Sequence, residues 1–448
     1  MSVRAVRMSP SYSVLRHADD SSIVFRDERG PITATQFLAD VAALAAVLPE
    51  DDYVVNLCTN RYRFTVALIA ALQRRQVTLL PMSDVPTPLA ALAQEYRRLY
   101  VLVDEPVAPM GLRVFRFPTG VTHTAIGAIP EFPSEQPAVV LFTSGSTGAP
   151  VPYPRSWGAL NASTDAAARR LEVADLVGAS VLGTVPHQHS YGLESIIILS
   201  LRHGFTIHGT RPLLPADILA QLARMSAPRI LVTTPIHLRS LVAHAEAAPP
   251  IDRILCATAP LTPDLARLAE DRFGAPLYEI YGCSEVGQIA VRRTIATLEW
   301  RCIDGIELRE QDGDVWASGC AAATEAPLND IIELKSPRRF LLHSRKSDVV
   351  NIAGKRSSLS FLNFQLNAID GVRDGVFMVP ADAASVTRLT AYVVAPGLSS
   401  AEILAALRRV LDPAFLPRPL YILDALPRNS LGKLSRHAME QLTRAVKR

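Results

Sequence analysis

Along the chain, short apolar runs alternate with segments whose apolar residues recur at helical spacing. Ala138–Phe142 (AVVLF) reads as a strand running into a Gly/Ser/Thr loop, and Ser180–Val185 as a second strand before a helical stretch from Tyr191 to Arg202. Arg229–Thr233 (RILVT) leads to a helical pattern at His237–Ala247. Arg253–Ala257 (RILCA) leads to another at Pro263–Arg272, and Pro276–Tyr281 is a further strand. Strands separated by helices predict an α/β fold with a mostly parallel sheet covered on both faces, its ligand loops at the carboxyl ends of the strands. After about Ser344 the pattern changes to a charged run, His343–Asp348, a turn at Gly354 and shorter elements. Among these are a strand at Thr390–Val394 and an amphipathic helix at Ala401–Leu411. The expected organisation is a large N-terminal domain of residues 1–346 and a small α+β C-terminal domain of residues 347–448.

Composition narrows the class. With 49% hydrophobic and 20% charged residues in 448, the chain is globular over most of its length. No run reaches the ~18 apolar residues of a spanning helix; Ser195–Leu201 stops at His203–Gly204. The N-terminal basic residues have no apolar segment behind them, so no secretory signal is expected. Five cysteines without a CxxC pair argue against a zinc ribbon or a disulfide framework, and a cytoplasmic location is expected. Net charge is +3, but residues from Val349 onward carry 13 Lys and Arg against 7 Asp and Glu, a local +6 against −3 for the rest. That excess is either a solvated face or a surface for an acidic partner; nucleic acid is not implied.

Three motifs carry chemistry. Thr143-Ser144-Gly145-Ser146-Thr147-Gly148 follows an apolar strand, and its hydroxyls and exposed N–H groups can wrap an oligophosphate. It lacks the spacing and the lysine of a Walker loop, and Gly145 and Gly148 are too close for a nucleophile elbow. Tyr281-Gly282-Cys283-Ser284-Glu285 ends another strand, placing an aromatic face, a close-approach glycine, a hydroxyl and a carboxylate together. Such a set can stack a base, contact a phosphate and bind a hard cation. Pro427-Arg428-Asn429-Ser430-Leu431-Gly432-Lys433 puts a lysine on a flexible loop. Each motif alone is equally an ordinary turn.

Their order and joint presence resemble the adenylate-forming superfamily of acyl-CoA synthetases, peptide-synthetase adenylation domains and luciferases, from about Val139 to Lys433. The resemblance implies that Thr143–Gly148 binds the ATP phosphates, that Tyr281 lies against adenine with Gly282 and Ser284 beside it, and that Glu285 holds Mg²⁺. It implies ribose contacts from Asp330 and Arg345. His189, in Pro186-His187-Gln188-His189-Ser190-Tyr191-Gly192, would gate an acid pocket shared with Tyr191, Ala257 and Gly282. Lys433 would bridge the carboxylate and α-phosphate from a mobile C-terminal domain, and the turn at Gly354 and Lys355 would serve the thiol step. The chain departs from the family pattern at Val151, where a lysine is usual, with Arg155 a possible substitute for its charge, and at Asn329, Ser344 and Asn351.

Both reactants are anions, so positioning and charge neutralisation dominate the barrier. The expected function is an ATP- and Mg²⁺-dependent ligase that forms an acyl-adenylate and then a thioester on a phosphopantetheine thiol. The compact chain, Arg155-Ser156-Trp157 and the stretch from Asp348 to Arg356 look most like the hydroxybenzoate-activating acyl carrier protein ligases of xanthomonadin and aryl-polyene pigment biosynthesis. The alternatives are an aryl- or fatty-acyl-CoA ligase, and a non-catalytic nucleotide-binding relative. Retention of Glu285, Asp330, Arg345 and Lys433 together speaks against the last.

Overall fold

The computed structural model describes residues 10–81, 86–106, 111–118, 128–144, 150–319, 325–346, 349–352, 355–379, 388–428, 434, 438 and 441–442. Contacts divide the chain into two compact units, Met1–Leu308 with Trp316–Ala326, and Arg309–Val315 with Pro327–Arg448.

Among its described residues the first unit contains two large sheets and a small pair, Ser11–Ser13 with Glu131–Pro133. One runs in the order Pro150–Ser156, Pro137–Ser144, Val77–Leu80, Tyr53–Asn56, Leu99–Val103, Val114–Arg116, parallel except for its first pair. In the other, Leu277–Cys283, Arg253–Cys256, Arg229–Thr233, Ser180–Gly183, Thr206–His208 and Ile23–Asp27 are successive parallel neighbours. Antiparallel strands extend it at each side, with Gly287–Arg292 beside Leu277–Cys283 and Gly30–Thr33 beside Ile23–Asp27. Mostly parallel sheets between helices are what the apolar pattern predicts.

Thr-Pro pairs start two of the covering helices. Thr234 and Thr262 accept from the third backbone N–H of helices Pro235–Val242 and Pro263–Phe273, and each proline occupies the first turn, where its missing donor costs nothing. The first of these helices therefore begins before the predicted His237 and ends at Val242 rather than Ala247. Leu238, Leu241, Leu265 and Phe273 from their inner faces meet Leu182, Leu231, Ile254 and Leu277 of the sheet in one buried core.

Arg61, in the buried helix Arg61–Gln73 that follows Tyr53–Asn56, reaches across to the second sheet. It donates to the carbonyls of Gly183, Val185, His208 and Thr210. Its burial lowers the guanidinium pKa to about 9.

The second unit has its own core. The strands Asp374–Met378, Thr390–Val394 and Leu420–Ile422 form a sheet against helices Leu359–Asn367 and Ser400–Leu407, with Leu362, Leu366, Phe377, Val393, Ile403 and Leu407 buried between them. A capping box of Ser399 and Glu402 starts the second helix, which stops at Leu407 rather than the predicted Leu411. Leu411 instead joins the core beside Phe415 after a turn. Two hairpins complete the unit, Asp330–Ser336 with Arg339–Arg345 and Val349–Ile352 with Lys355–Ser358.

Candidate active site

Residues expected to receive the acid lie where the parallel strands end. The predicted helix Tyr191–Arg202 is broken into helical turns Ser190–Gly192 and Leu199–His203 around a π-helical stretch, Leu193–Ile198. Such widened turns often accompany functional sites. Gly192 is required here, because a Cβ would lie 2.0 Å from the Pro186 carbonyl oxygen. His187 points inward, contacts the Cys58 carbonyl through Nε2 and packs on Phe64. Burial first, and the Arg61 charge second, lower its pKa to about 3, so it is neutral and structural.

His189 is half-buried at the start of the short helix. Tyr191 donates its hydroxyl to the carbonyls of Thr233 at 3.1 Å and Leu255 at 2.9 Å, the ends of two adjacent parallel strands. Burial holds the phenol well above its ordinary pKa, so it stays a donor. Ala257 is buried two residues beyond Leu255. The next residue, Thr258, has φ +83°, a strained conformation for a β-branched side chain, and its buried hydroxyl has no hydrogen-bond partner among the described residues. Sequence reasoning passed over Thr258, and nothing in residue type alone signals it.

The Tyr281–Glu285 turn continues the next strand. A register shift falls between Tyr281 and Gly282, and Gly282 faces Gln288 so closely that a Cβ would lie 2.4 Å from the Gly287 carbonyl oxygen. Tyr281 packs on Trp300 with ring centroids 5.7 Å apart. The Arg292 guanidinium lies 4.4 Å from the Trp300 centroid and is bonded to the buried Glu279 carboxylate. Glu279 also accepts from Thr294 and from the Leu261 backbone. This column of charge and rings fixes the aromatic, and it was not read from the sequence.

Cys283 is an inert thiol, pushed up to about 12 chiefly by burial and then by Glu285. Glu285 itself is half-buried. Among the described residues no group of three His, Cys, Asp or Glu could hold a metal. A single carboxylate suits Mg²⁺ that takes its remaining ligands from phosphates and water.

Thr143 and Ser144 end the strand Pro137–Ser144, opposite Val151 and Pro150 of the returning strand. Gly145, Ser146, Thr147 and Gly148 lie outside the described residues. Arg155, on that returning strand, is buried; it donates to the Ser284 carbonyl at 2.6 Å and to the Pro154 carbonyl at 3.0 Å. The guanidinium thus contacts the Glu285 turn.

In the second unit, Asp330 and Arg345 are directly paired residues of one hairpin. Lys355 is exposed and forms an ion pair with Asp412. Gly354 and Lys433 lie outside the described residues, while Arg428 and Leu434, on either side of 429–433, form an antiparallel bridge. Arg428 is anchored to Asp374 by two hydrogen bonds.

Residues 122–306 match the family model of AMP-binding enzymes. The chain is similar to a 4-coumarate–CoA ligase of Halorhodospira halophila, 30% identical over 310 residues that span 65% of this chain and 73% of the relative. It is likewise similar to a 4-coumarate–CoA ligase of Rhodobacter capsulatus, 29% identical over 317 residues, 67% of this chain and 75% of the relative. Its fold matches o-succinylbenzoate CoA synthetase of Bacillus subtilis in complex with the acyl-adenylate intermediate, with TM-score 0.80 at 18% identity over 94% of this chain and 96% of the other. The same synthetase is known in complex with ATP and magnesium ion. No helix among the described residues is long and apolar enough to cross a membrane. Motif order, fold and relatives agree that the chain belongs to the AMP-binding family of adenylate-forming enzymes and is an AMP-forming ligase.

Proposed function

We propose that the protein activates a hydroxybenzoate-type aromatic acid with ATP and loads it onto the phosphopantetheine thiol of an acyl carrier protein. The observation that carries the choice of acid is the seat of Tyr191. Its hydroxyl is held by two adjacent strand ends, and a fixed aromatic ring beside the acid supports a short, flat substrate better than a long acyl chain.

In the first half-reaction a carboxylate oxygen attacks the α-phosphorus. The bond from that phosphorus to the bridging oxygen breaks, and pyrophosphate leaves with the electron pair. The loop Thr143–Gly148 holds the phosphates, Tyr281, Gly282 and Ser284 receive the adenosine, and Asp330 and Arg345 receive the ribose. Glu285 would hold Mg²⁺, which would supply neutralisation of the phosphate charge. Lys433 bridges the carboxylate and the α-phosphate, while His189, Tyr191, Ala257 and Gly282 orient the acid. In the second half-reaction the thiolate attacks the acyl carbon and AMP leaves. Residues 347–448 move as the C-terminal domain between the two steps, and the turn at Gly354 and Lys355 lines the thiol's approach.

The acceptor has two readings, each with its own support. Arg408, Arg409 and Arg418 are exposed, Val410 is 52% exposed between them, and the region is net positive, which suits an acidic carrier protein. The relatives named as CoA ligases favour coenzyme A. A panel of benzoic, cinnamic and fatty acids, assayed for acid-dependent pyrophosphate release and then for mass shift on carrier protein or coenzyme A, decides. Hydroxybenzoates should release pyrophosphate fastest. Arg408→Glu with Arg409→Glu should raise the KM for carrier and leave adenylation unchanged. A better rate with coenzyme A than with every carrier transfers the reading to an aryl-CoA ligase, and no pyrophosphate with any acid defeats both.

A further inference from the structure

The strand Arg253–Cys256 runs into a segment that is held at both ends. The Leu255 carbonyl accepts the Tyr191 hydroxyl at 2.9 Å, and the Leu261 backbone N–H donates to Glu279 Oε1 at 3.3 Å. Between these anchors the chain leaves the interior. Cys256 and Ala257 are buried, Thr258 is half-buried, and Ala259 and Pro260 are exposed. Thr258 therefore stands where the segment meets accessible space, at the carboxyl edge where a parallel sheet receives its ligands.

Two features of Thr258 work against the fold. Its φ of +83° lies where a β-branched residue is strained. The other non-glycine residues with positive φ among those described are Arg75, Glu172 and Asp312, at 57°, 53° and 53°. Arg75 and Glu172 come just after helix ends and Asp312 comes before Gly313 in a hairpin, places where a left-handed residue is ordinary. Thr258 instead follows a strand, and its buried Oγ1 has no hydrogen-bond partner among the described residues. Glycine would take this backbone without strain and leave no orphan hydroxyl. The fold gains nothing from a threonine here, whereas a ligand that meets the hydroxyl accounts for it.

Its neighbours indicate which part of a ligand that is. Tyr191 spends its hydroxyl on the Thr233 and Leu255 carbonyls, and Ala257 and Gly282 have no polar side chain. Aromatic and apolar walls discriminate weakly for a ring hydroxyl, while a buried hydroxyl that needs a partner rejects an acid that cannot supply one. We infer that Thr258 is a specificity-determining residue whose Oγ1 pairs with the ring hydroxyl of the aromatic acid, held in place by the strained backbone. The inference rests on the reading of the substrate as a hydroxybenzoate-type acid.

The test compares kcat/KM for pyrophosphate release with benzoate and the three monohydroxybenzoates in the full-length enzyme, with the KM for ATP and the melting temperature measured alongside. Wild type should favour one hydroxybenzoate over benzoate by about 10-fold or more, the scale of leaving a buried hydroxyl unpaired. Thr258→Val keeps the shape and removes the hydroxyl, so the preference should fall to within about threefold with the KM for ATP unchanged. Thr258→Ser, which keeps the hydroxyl, should retain most of the preference. Thr258→Gly should lose the preference and melt no lower than wild type, because glycine accepts φ +83° freely.

No pyrophosphate with any of the four acids defeats the hydroxybenzoate reading, and this inference with it. Turnover of aromatic acids without preference for any hydroxybenzoate overturns the inference alone. A preference that survives in Thr258→Val, an equal loss with all four acids, or a change confined to the KM for ATP overturns it too. So does a Thr258→Ser enzyme that loses the preference as fully as Thr258→Val, or a Thr258→Gly enzyme that melts well below wild type. Should thermal melting show that Thr258→Val does not fold, Thr258→Gly takes its place, and a preserved preference there overturns the inference.

Discussion

The Glu285 turn and the Lys355 hairpin are both proposed to serve the same reaction, yet they are held in opposite ways. Around the turn, Glu279 and Arg292 keep only 6% and 13% of their side chains exposed, and their charges are matched inside the fold. Lys355 and Asp412 retain 55% and 35% exposure, so solvent screens their pair. A buried pair cannot exchange partners without leaving a charge unsatisfied, whereas an exposed one can. The turn is thereby set before substrate arrives. The lysine can leave Asp412 for an anionic ligand with little change in the fold.

The contrast is broken most directly by Glu279→Ala, which strands Arg292 beneath Trp300. The expected loss is ~3 to 5 kcal/mol of stability, measured by chemical unfolding. A loss below ~1 kcal/mol, as at exposed pairs, would erase the distinction between the two regions.

Next in size is Lys433→Ala. Adenylate formation should fall about 100-fold, the scale of losing one charge-stabilising group, while thioester formation from supplied acyl-adenylate survives. Equal loss in both assays would make Lys433 a structural residue.

Acid stability probes the buried side of the comparison more gently. His187 and His208 stay neutral in the fold, with pKa values of about 3 and about 4 against 6.5 when unfolded. Between those limits the unfolded chain binds more protons, so stability falls as pH drops from about 6.5 towards 3. The slope is at most ~1.4 kcal/mol per pH unit for each histidine. His187→Gln should flatten that acid limb in urea midpoints measured against pH, and an unaltered limb would place the sensitivity elsewhere.

The smallest effect on the fold belongs to Lys355→Ala. Its melting temperature should stay within about one degree of wild type, and its adenylation rate should not change. Only transfer to the thiol should slow, and a slowed adenylation would contradict the proposed division of labour.

Local signals located much of this architecture. Arg229–Thr233 and Thr390–Val394 are strands at their predicted bounds, because continuous apolar runs between turn residues have few other uses. The pattern was silent before Ala138, where Tyr53–Asn56 and Leu99–Val103 nevertheless form buried central strands. It read the segment after Tyr191 as one regular helix, since apolar spacing cannot register the extra residue of a π turn. Composition also left Arg155 ambiguous. A guanidinium two residues before a tryptophan can face a phosphate or a carbonyl, and only the packed hairpin turns it to Ser284.

The sequence by itself determined the family, because the Thr143–Gly148, Tyr281–Glu285 and Arg428–Lys433 motifs are local and keep their order along the chain. It also determined the main parallel strands and the helices that begin at Thr-Pro pairs, since those depend on neighbours a few residues away. Tertiary structure alone decided the strain at Thr258, the two-carbonyl seat of Tyr191, the charge-and-ring column behind Tyr281, and the contact of Arg155 with the Ser284 carbonyl. These features depend on groups distant in sequence sharing a low-dielectric interior. There, burial raises the cost of every unmatched polar atom, and the partner that meets it is chosen by the fold.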